Sequence, residues 1–132
     1  MVTGIGHVAI LAGNLDETVK LYRKLFGATS SEVTAIAEQG VKTAMLDIGG
    51  DAKLEILEPL PGSGMEKVLA KRGEGMHHIC LEVDNIEQTL DFLAGEGVNL
   101  IDRKARRGLE GMVAFIHPKS TRGVLVELCQ KY

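Results

Sequence analysis

The segment GMHHICLEVDNI, residues 75–86, contains an apolar run interrupted by two histidines and followed directly by a helix-start signal. The aliphatic residues of Met76–Val83 predict a strand. Asn85 is a candidate N-cap, because its side-chain oxygen can accept a hydrogen bond from a backbone N–H of the first helical turn. Apolar residues at helical spacing follow, and the glycines of Gly95–Gly97 predict where this helix ends.

The N-terminal stretch has the same order of signals. GIGHVAIL, residues Gly4–Leu11, predicts a strand that contains His7. Asn14 is a candidate N-cap, and Glu17, three residues later, is its capping-box partner. Apolar residues then recur at helical spacing up to Gly27, which predicts the end of the helix.

A constant offset relates the two stretches. His78 follows His7 by 71 residues, and Asn85 follows Asn14 by the same number. Glycines and aliphatic residues match easily by chance, but here the polar residues inside the pattern match as well. The chain is therefore predicted to be a duplication of one structural module.

The ends of the two halves also correspond. LEIL at residues 54–57 resembles VELC at residues 126–129, which places Glu127 72 residues after Glu55 and requires one inserted residue. Each half is predicted to have the order strand–helix–strand–strand–strand. The remaining strands are expected at Thr29–Glu38, Val41–Ile48 and Lys53–Glu58 and at Val98–Ile101, Met112–His117 and Val124–Cys129, with a short helix near Met65–Lys71.

Length and composition restrict the class of protein. A chain of 132 residues with 45% hydrophobic and 25% charged residues is typical of one globular domain. The net charge of −3 argues against a nucleic-acid-binding protein, whereas a small phosphorylated ligand needs only one local basic loop. Two cysteines are too few for a disulfide framework, and no signal peptide and no membrane-spanning segment are expected. A cytoplasmic protein with reduced thiols is expected.

Two histidines and two glutamates are the candidate functional residues. Either histidine alone would be interpreted as a hydrogen-bonded core residue. A buried glutamate is costly without a partner. Because His7, His78, Glu55 and Glu127 occupy equivalent positions of duplicated halves, a pseudo-two-fold axis would bring them together around a divalent cation. Such an N₂O₂ set suits zinc, nickel, cobalt, manganese or iron, and it leaves room for water or substrate.

Other polar residues have ordinary interpretations. His77 precedes His78 and points to the opposite face of the strand, so it is interpreted as structural. His117 precedes a proline at a strand end and is interpreted as a loop residue. Cys80 and Cys129 each lie two residues after a proposed ligand, and therefore on its face, where buried unreactive thiols are expected.

Four segments carry a resemblance to a known family. They are GIGHVAIL (Gly4–Leu11), EQGV (Glu38–Val41), GMHHICLEVDNI (Gly75–Ile86) and HPKSTRGVLVEL (His117–Leu128). At these residues the sequence resembles the vicinal oxygen chelate superfamily, and within it the methylmalonyl-CoA epimerase family. The resemblance implies an α+β fold of two βαβββ modules in a pseudo-two-fold arrangement, forming a curved mixed sheet around one metal site. A single domain of residues 1–132 is implied, with module one at about 1–60, a linker at about 61–74 and module two at about 75–132.

The resemblance also implies the metal ligands. They fall on His7, Glu55, His78 and Glu127, and the ion implied is cobalt, manganese, zinc or nickel. Two departures from the family pattern matter. Some epimerases have glutamine at the position of Glu55, and a catalytic glutamate lies five residues beyond the glutamate of EQGV, where this chain has Thr43. A threonine hydroxyl cannot act as a base near neutral pH.

An epimerase removes a proton from one face of the substrate α-carbon and returns one to the other face. The bound ion would stabilise the resulting anion as a Lewis acid, and positioned bases would move the proton. With Thr43 in this chain, Glu127 and Glu55 are expected to be the two bases. Lys119 and Arg107, from two basic loops, are expected to contact the phosphates of the CoA thioester substrate. A cytoplasmic homodimer is expected.

Two alternatives remain open at this stage. Glyoxalase I, which isomerises a glutathione hemithioacetal, matches the His-Glu-His-Glu set at least as well and ranks second because of the EQGV and HPKS segments. A metal-free small-molecule-binding protein of the same fold belongs to a different class. Four intact ligand positions argue against it, because sequestering a ligand does not require them.

Overall fold

A computed structural model describes every residue from Met1 to Tyr132. The first seven elements are β1 (Val2–Leu11), α1 (Leu15–Phe26), β2 (Thr29–Ser30), β3 (Thr34–Ile36), β4 (Val41–Asp47), β5 (Lys53–Pro59) and α2 (Gly64–Arg72). They are followed by β6 (Gly75–Val83), α3 (Ile86–Gly95), β7 (Arg106–Arg107), β8 (Gly111–Ile116) and β9 (Val126–Lys131). Short 3₁₀ turns occur at Ala37–Gln39 and Pro118–Ser120. No helix is both long and apolar enough to cross a membrane.

The chain divides into two compact units, one of residues 7–77 and one of residues 78–132 together with residues 1–6. In the first unit the strand order is β2-β4-β5-β1, with β3 paired to β4. Strands β1 and β5 run parallel, and β4 runs antiparallel to β5. Leu15 of α1 packs with Leu46 and Ile56 in one core cluster, whereas Leu57 packs with residues of α2 in another.

The second unit repeats this arrangement. Its strand order is β6-β9-β8-β7, with β6 parallel to β9 and the other pairs antiparallel. Ile86 and Leu90 of α3 pack against Ala114 and Leu128 in the main core cluster. Cys80 and Cys129 belong to a smaller cluster with Val113. The predicted α+β class with a repeated module order is confirmed.

Both predicted helix starts are confirmed. The side-chain oxygen of Asn14 accepts from the Glu17 N–H at 3.0 Å. The side-chain oxygen of Asn85 accepts from the Gln88 N–H, also at 3.0 Å. These bonds satisfy backbone donors that a helix leaves free in its first turn, and so they fix where α1 and α3 begin.

A second pair of equivalent contacts ties each helix to the last strand of its unit. Glu58 of β5 accepts from the Leu15 N–H at 2.8 Å. Gln130 of β9 accepts from the Ile86 N–H, also at 2.8 Å. Because both acceptors lie three residues after the candidate ligands Glu55 and Glu127, helix and ligand strand are positioned together in each unit.

Two predicted strands differ from the structure. The strand predicted at Thr29–Glu38 is interrupted, and only β2, β3 and a 3₁₀ turn form there. The strand predicted at Val98–Ile101 is wrong, since only an isolated bridge between Leu100 and Ile116 is present. The backbone N–H groups of this segment bond instead to the end of α3, to the side chain of Ser120 and to the carbonyl of Phe115.

Candidate metal centre

The first unit brings His7 and Glu55 together. His7 lies on β1 and Glu55 on the adjacent parallel strand β5, where Glu55 is opposite Ala9. Alternation of side chains places His7, Ala9 and Glu55 on one face. The His7 Nε2 and Glu55 Oε1 atoms are 3.4 Å apart, with side-chain exposures of 13% and 9%.

Thr43 contacts the other oxygen of the same carboxylate. Its hydroxyl donates to Glu55 Oε2 at 3.0 Å, and both side chains are buried. Thr43 lies on β4 opposite Leu57, two residues along from the position opposite Glu55, so it shares the face of the carboxylate. The two oxygens of Glu55 therefore have different neighbours: an imidazole at one and a hydroxyl at the other.

The second unit contains an equivalent pair. His78 lies on β6 and Glu127 on the parallel strand β9, opposite Cys80. The His78 Nε2 and Glu127 Oε1 atoms are 3.7 Å apart, and both residues are buried. The ring of Phe115, which is opposite Glu127 on β8, contacts His78 edge-to-face with ring centroids 5.4 Å apart.

The thiol of Cys80 lies beside Glu127 and Cys129. Hydrogen bonding to Cys129, burial and the Glu127 carboxylate, in that order, raise the pKa of Cys80 well above its usual range. The Cys80 thiol therefore stays protonated near neutral pH and is a poor nucleophile. Neither cysteine forms a disulfide and both are buried, which agrees with the expected unreactive thiols.

The chemistry of these donors fits a divalent ion. Each unit places an imidazole nitrogen and a carboxylate oxygen next to each other, with both carboxylates and His78 buried and His7 partly buried. Taking a carboxylate out of water costs several kcal/mol, in rough terms, unless a positive charge compensates it. Such His/Glu groups could hold a metal, and their N and O donors are the kind that divalent transition metals prefer.

The two predicted phosphate-binding residues are on the surface. The guanidinium of Arg107 lies over the ring of Tyr132, with 4.9 Å between its central carbon and the ring centroid. The backbone N–H of Lys119 donates to Nδ1 of His117 at 3.0 Å, and the Lys119 side chain is exposed. His117 is thus the side-chain cap of the turn Pro118–Ser120, as expected of a loop residue. The phosphate-binding roles stay predictions.

Sequence reasoning missed the two contacts that distinguish the carboxylates. The sequence predicts Thr43 only as the replacement of a base, and Cys80 only as a core thiol. The alternation of β4 and β6 places each of them on the face of a candidate ligand, but strand pairing decides which carboxylate each one meets.

Comparison with known proteins identifies the class of this chain. Residues 6–115 match the Glyoxalase/Bleomycin resistance protein/Dioxygenase superfamily, and the chain belongs to it. Within this superfamily, the chain is 44% identical to the mitochondrial methylmalonyl-CoA epimerase of Dictyostelium discoideum, over 97% of this chain and 80% of that protein. The chain is therefore a member of the methylmalonyl-CoA epimerase family and an enzyme of the epimerase class.

Solved structures agree with this assignment. The methylmalonyl-CoA epimerase of Mycobacterium tuberculosis has a TM-score of 0.93 and 33% identity, covering 99% of this chain and 89% of that one. A variant of the Streptomyces coelicolor epimerase in complex with 2-nitronate-propionyl-CoA has a TM-score of 0.92 and 36% identity, covering 99% of both chains. Two Vibrio proteins named probable lactoylglutathione lyase are more distant, at 25% and 23% identity over 94% of this chain and 88% of theirs.

Proposed function

We propose that this chain epimerises methylmalonyl-CoA in a metal-dependent reaction that removes and returns a proton at the α-carbon of the thioester. The observation that carries the proposal is the pair of His–Glu contacts, each with a buried carboxylate, at equivalent positions of the two units. The family membership supplies the substrate class, since the relatives are named for this reaction.

His7, Glu55, His78 and Glu127 together are proposed to hold one divalent ion: cobalt, manganese, zinc or nickel. The proposal is supported by the duplication, which gives each half the same two donors, and by the burial of both carboxylates. When bound, the ion supplies Lewis-acid stabilisation of the negative charge that develops as the α-proton leaves.

Glu55 and Glu127 are proposed as the two bases, one for each face of the α-carbon. In one direction the Glu55 carboxylate takes the α-proton, and Glu127, already protonated, gives its proton to the opposite face. The C–H bond that breaks is replaced by one of opposite configuration, and the enzyme is left with Glu55 protonated and Glu127 ionised. A substrate of the other configuration, or proton exchange with water, restores the starting state.

Thr43 supports this assignment of the bases. Its hydroxyl has no useful basicity near neutral pH, and it donates to Glu55 Oε2. A carboxylate that accepts this bond is held in one orientation, as a base within reach of its proton must be. In this proposal Glu55 therefore acts as a base in place of the glutamate that the family pattern has at the position of Thr43.

The CoA contacts, the location and the assembly of the chain are proposals as well. Lys119 and Arg107 would contact the CoA phosphates from the surface, a cytoplasmic location is expected, and a homodimer is the expected assembly. A second candidate function, glyoxalase I, is favoured by one observation: Glu55 completes a His-Glu-His-Glu set where some epimerases have glutamine. The lower sequence identity to the lactoylglutathione lyases ranks this second function below epimerisation.

The test is to offer two substrates to the metal-loaded protein. Methylmalonyl-CoA of one configuration should be converted to the mixture of epimers, and the methylglyoxal–glutathione hemithioacetal should be turned over slowly or not at all. The reverse preference would establish glyoxalase I. Failure with both substrates, together with no metal in the carefully purified protein, would favour the metal-free binding protein.

A further inference from the structure

The hydroxyl of Thr43 is one of few polar groups in the interior of the first unit. Thr43 is 3% exposed, and its Oγ1 donates to Glu55 Oε2. A buried hydroxyl without a partner is costly, so this bond satisfies both the donor and the carboxylate. Threonine is also stiff about χ1, because two heavy atoms branch from its Cβ. The donor is therefore held in a fixed direction.

The fixed hydroxyl of Thr43 gives the two oxygens of Glu55 different roles. Oε2 is occupied by the Thr43 hydroxyl at 3.0 Å. Oε1 lies on the side of the His7 imidazole, 3.4 Å from Nε2. The carboxylate cannot rotate to exchange its oxygens without breaking the bond to Thr43, so one oxygen is directed at the imidazole and the other away from it.

The second unit has no hydroxyl group at the equivalent position. The strand register places Val113 opposite Cys129, just as Thr43 is opposite Leu57, so Val113 is the counterpart of Thr43. Valine has the shape of threonine but no donor. The hydroxyl next to Glu55 is therefore a property of one half and not a requirement of the strand.

We infer that Thr43 is a positioning residue that makes Glu55 bind the metal through Oε1 alone. This inference rests on the proposed function, because it uses the metal site proposed there. Hydrogen bonds from neighbouring side chains orient metal ligands in this way, and losing such a bond typically lowers metal affinity by about 10- to 100-fold. Without the hydroxyl, Oε2 is free to turn to the ion and change its coordination number.

The experiment compares cobalt binding by the wild-type chain and three variants. Thr43→Val removes the donor and keeps the shape, whereas Thr43→Ser keeps the donor. Thr89→Val is the matched control, because Thr89 is also buried and its hydroxyl donates to the Asn85 carbonyl within α3. Each protein is titrated with CoCl₂ against a competing chelator, its visible Co²⁺ absorption spectrum is recorded, and its melting temperature is measured without metal.

For Thr43→Val we expect a Co²⁺ affinity about 10- to 100-fold lower and weaker visible bands, as a higher coordination number produces. Thr43→Ser should restore the affinity to within about 3-fold of wild type, and Thr89→Val should leave affinity and spectrum unchanged. A structural role alone would move the melting temperature without the spectrum. Identical affinity and spectrum in Thr43→Val and wild type would overturn the inference, as would an equal loss in Thr89→Val.

The outcome separates this inference from the proposed function. If the wild-type chain binds Co²⁺ but does not epimerise methylmalonyl-CoA, the proposed reaction fails, while the affinities of the Thr43 variants still decide the role of Thr43. If the wild-type chain binds no Co²⁺, the proposed metal site fails and the role of Thr43 fails with it. If the wild-type chain binds Co²⁺ and epimerises while Thr43→Val matches it in every readout, only the inference fails.

Discussion

The two halves of the chain place the same pair of side chains in the same way but give the carboxylates different neighbours. The imidazole Nε2 to carboxylate Oε1 distances are 3.4 Å for His7–Glu55 and 3.7 Å for His78–Glu127. Glu55 accepts from the hydroxyl of Thr43, whereas Glu127 lies beside the thiol of Cys80. A thiol is a weak donor compared with a hydroxyl. A duplicated site can therefore keep its ligands while the surroundings make the two halves chemically unequal.

The helix starts show the same combination of likeness and difference. Glu58 and Gln130 make the same bond to the first backbone N–H of α1 and α3. Glu58 also pairs with Lys42, whose Nζ is 3.2 Å from Glu58 Oε2. The contact is thus charged in one half and neutral in the other, although its geometry is the same.

The largest expected effect is the loss of metal when either half loses its histidine. His7→Ala and His78→Ala should each abolish stoichiometric binding of one divalent ion and still fold, because one imidazole from each half is required in the proposed site. Metal content after dialysis and circular dichroism measure the two properties. A variant that retains a full equivalent of metal would show that its half does not supply a ligand.

Metal removal should have the second-largest effect, a loss of stability of the folded chain. At a free metal concentration of 100 times the dissociation constant, the bound ion stabilises the folded chain by about 2.7 kcal/mol. Without the ion, the two carboxylates of the proposed site also repel each other. Thermal melts with and without chelator measure the difference, and the double variant His7→Ala/His78→Ala is the control that should not respond. An unchanged melting temperature of the wild type would mean that the four side chains do not share an ion.

Loss of a contact at either helix start should lower the free energy of unfolding by less than metal removal does. Glu58→Ala and Gln130→Ala should each lower the free energy of unfolding by about 1 kcal/mol, the usual cost of losing a side-chain cap. Glu58→Gln keeps an acceptor oxygen and should cost less than Glu58→Ala. Urea unfolding of the metal-free chain measures all three. If one alanine variant is as stable as wild type, the equivalence of the two helix starts is only geometric.

The smallest effect is expected at the surface of the second half. Lys119→Glu and Arg107→Glu should each raise KM for methylmalonyl-CoA by roughly 2- to 5-fold and leave kcat unchanged, because a remote phosphate contact holds ground state and transition state alike. Lys20→Glu, on the exposed side of α1 in the other half, is the matched control. An unchanged KM at low salt for both variants would place the phosphates elsewhere.

Much of the fold could be predicted because its signals are local. Asn14 and Asn85 cap their helices as the sequence indicates, and the apolar runs around His7 and His78 are strands. The segment 98–101 could not be predicted, since its β-branched composition is typical of a strand while its backbone N–H groups bond to α3, to Ser120 and to the Phe115 carbonyl. Tertiary partners overrode local propensity there.

The candidate site, like the fold, could be predicted only in part. The pairing of His with Glu follows from the duplication, which is visible in the spacing of four residues. The contact of Thr43 with Glu55 depends on the register between β4 and β5, which a single sequence leaves undetermined. Glu58 and Gln130 did leave a signal, because each lies three residues after its candidate ligand.

The most direct test of the central claim, that each half supplies one base, is exchange of the α-hydrogen of methylmalonyl-CoA in heavy water. Glu55→Gln and Glu127→Gln keep the size of the side chain and an oxygen for the metal, and metal content is checked in both variants. Epimerisation should collapse in each, by about 10²–10⁴-fold. Exchange should survive for one epimer in Glu55→Gln and for the opposite epimer in Glu127→Gln. Epimerisation by Glu55→Gln at the wild-type rate, or loss of exchange for the same epimer in both variants, would contradict the account.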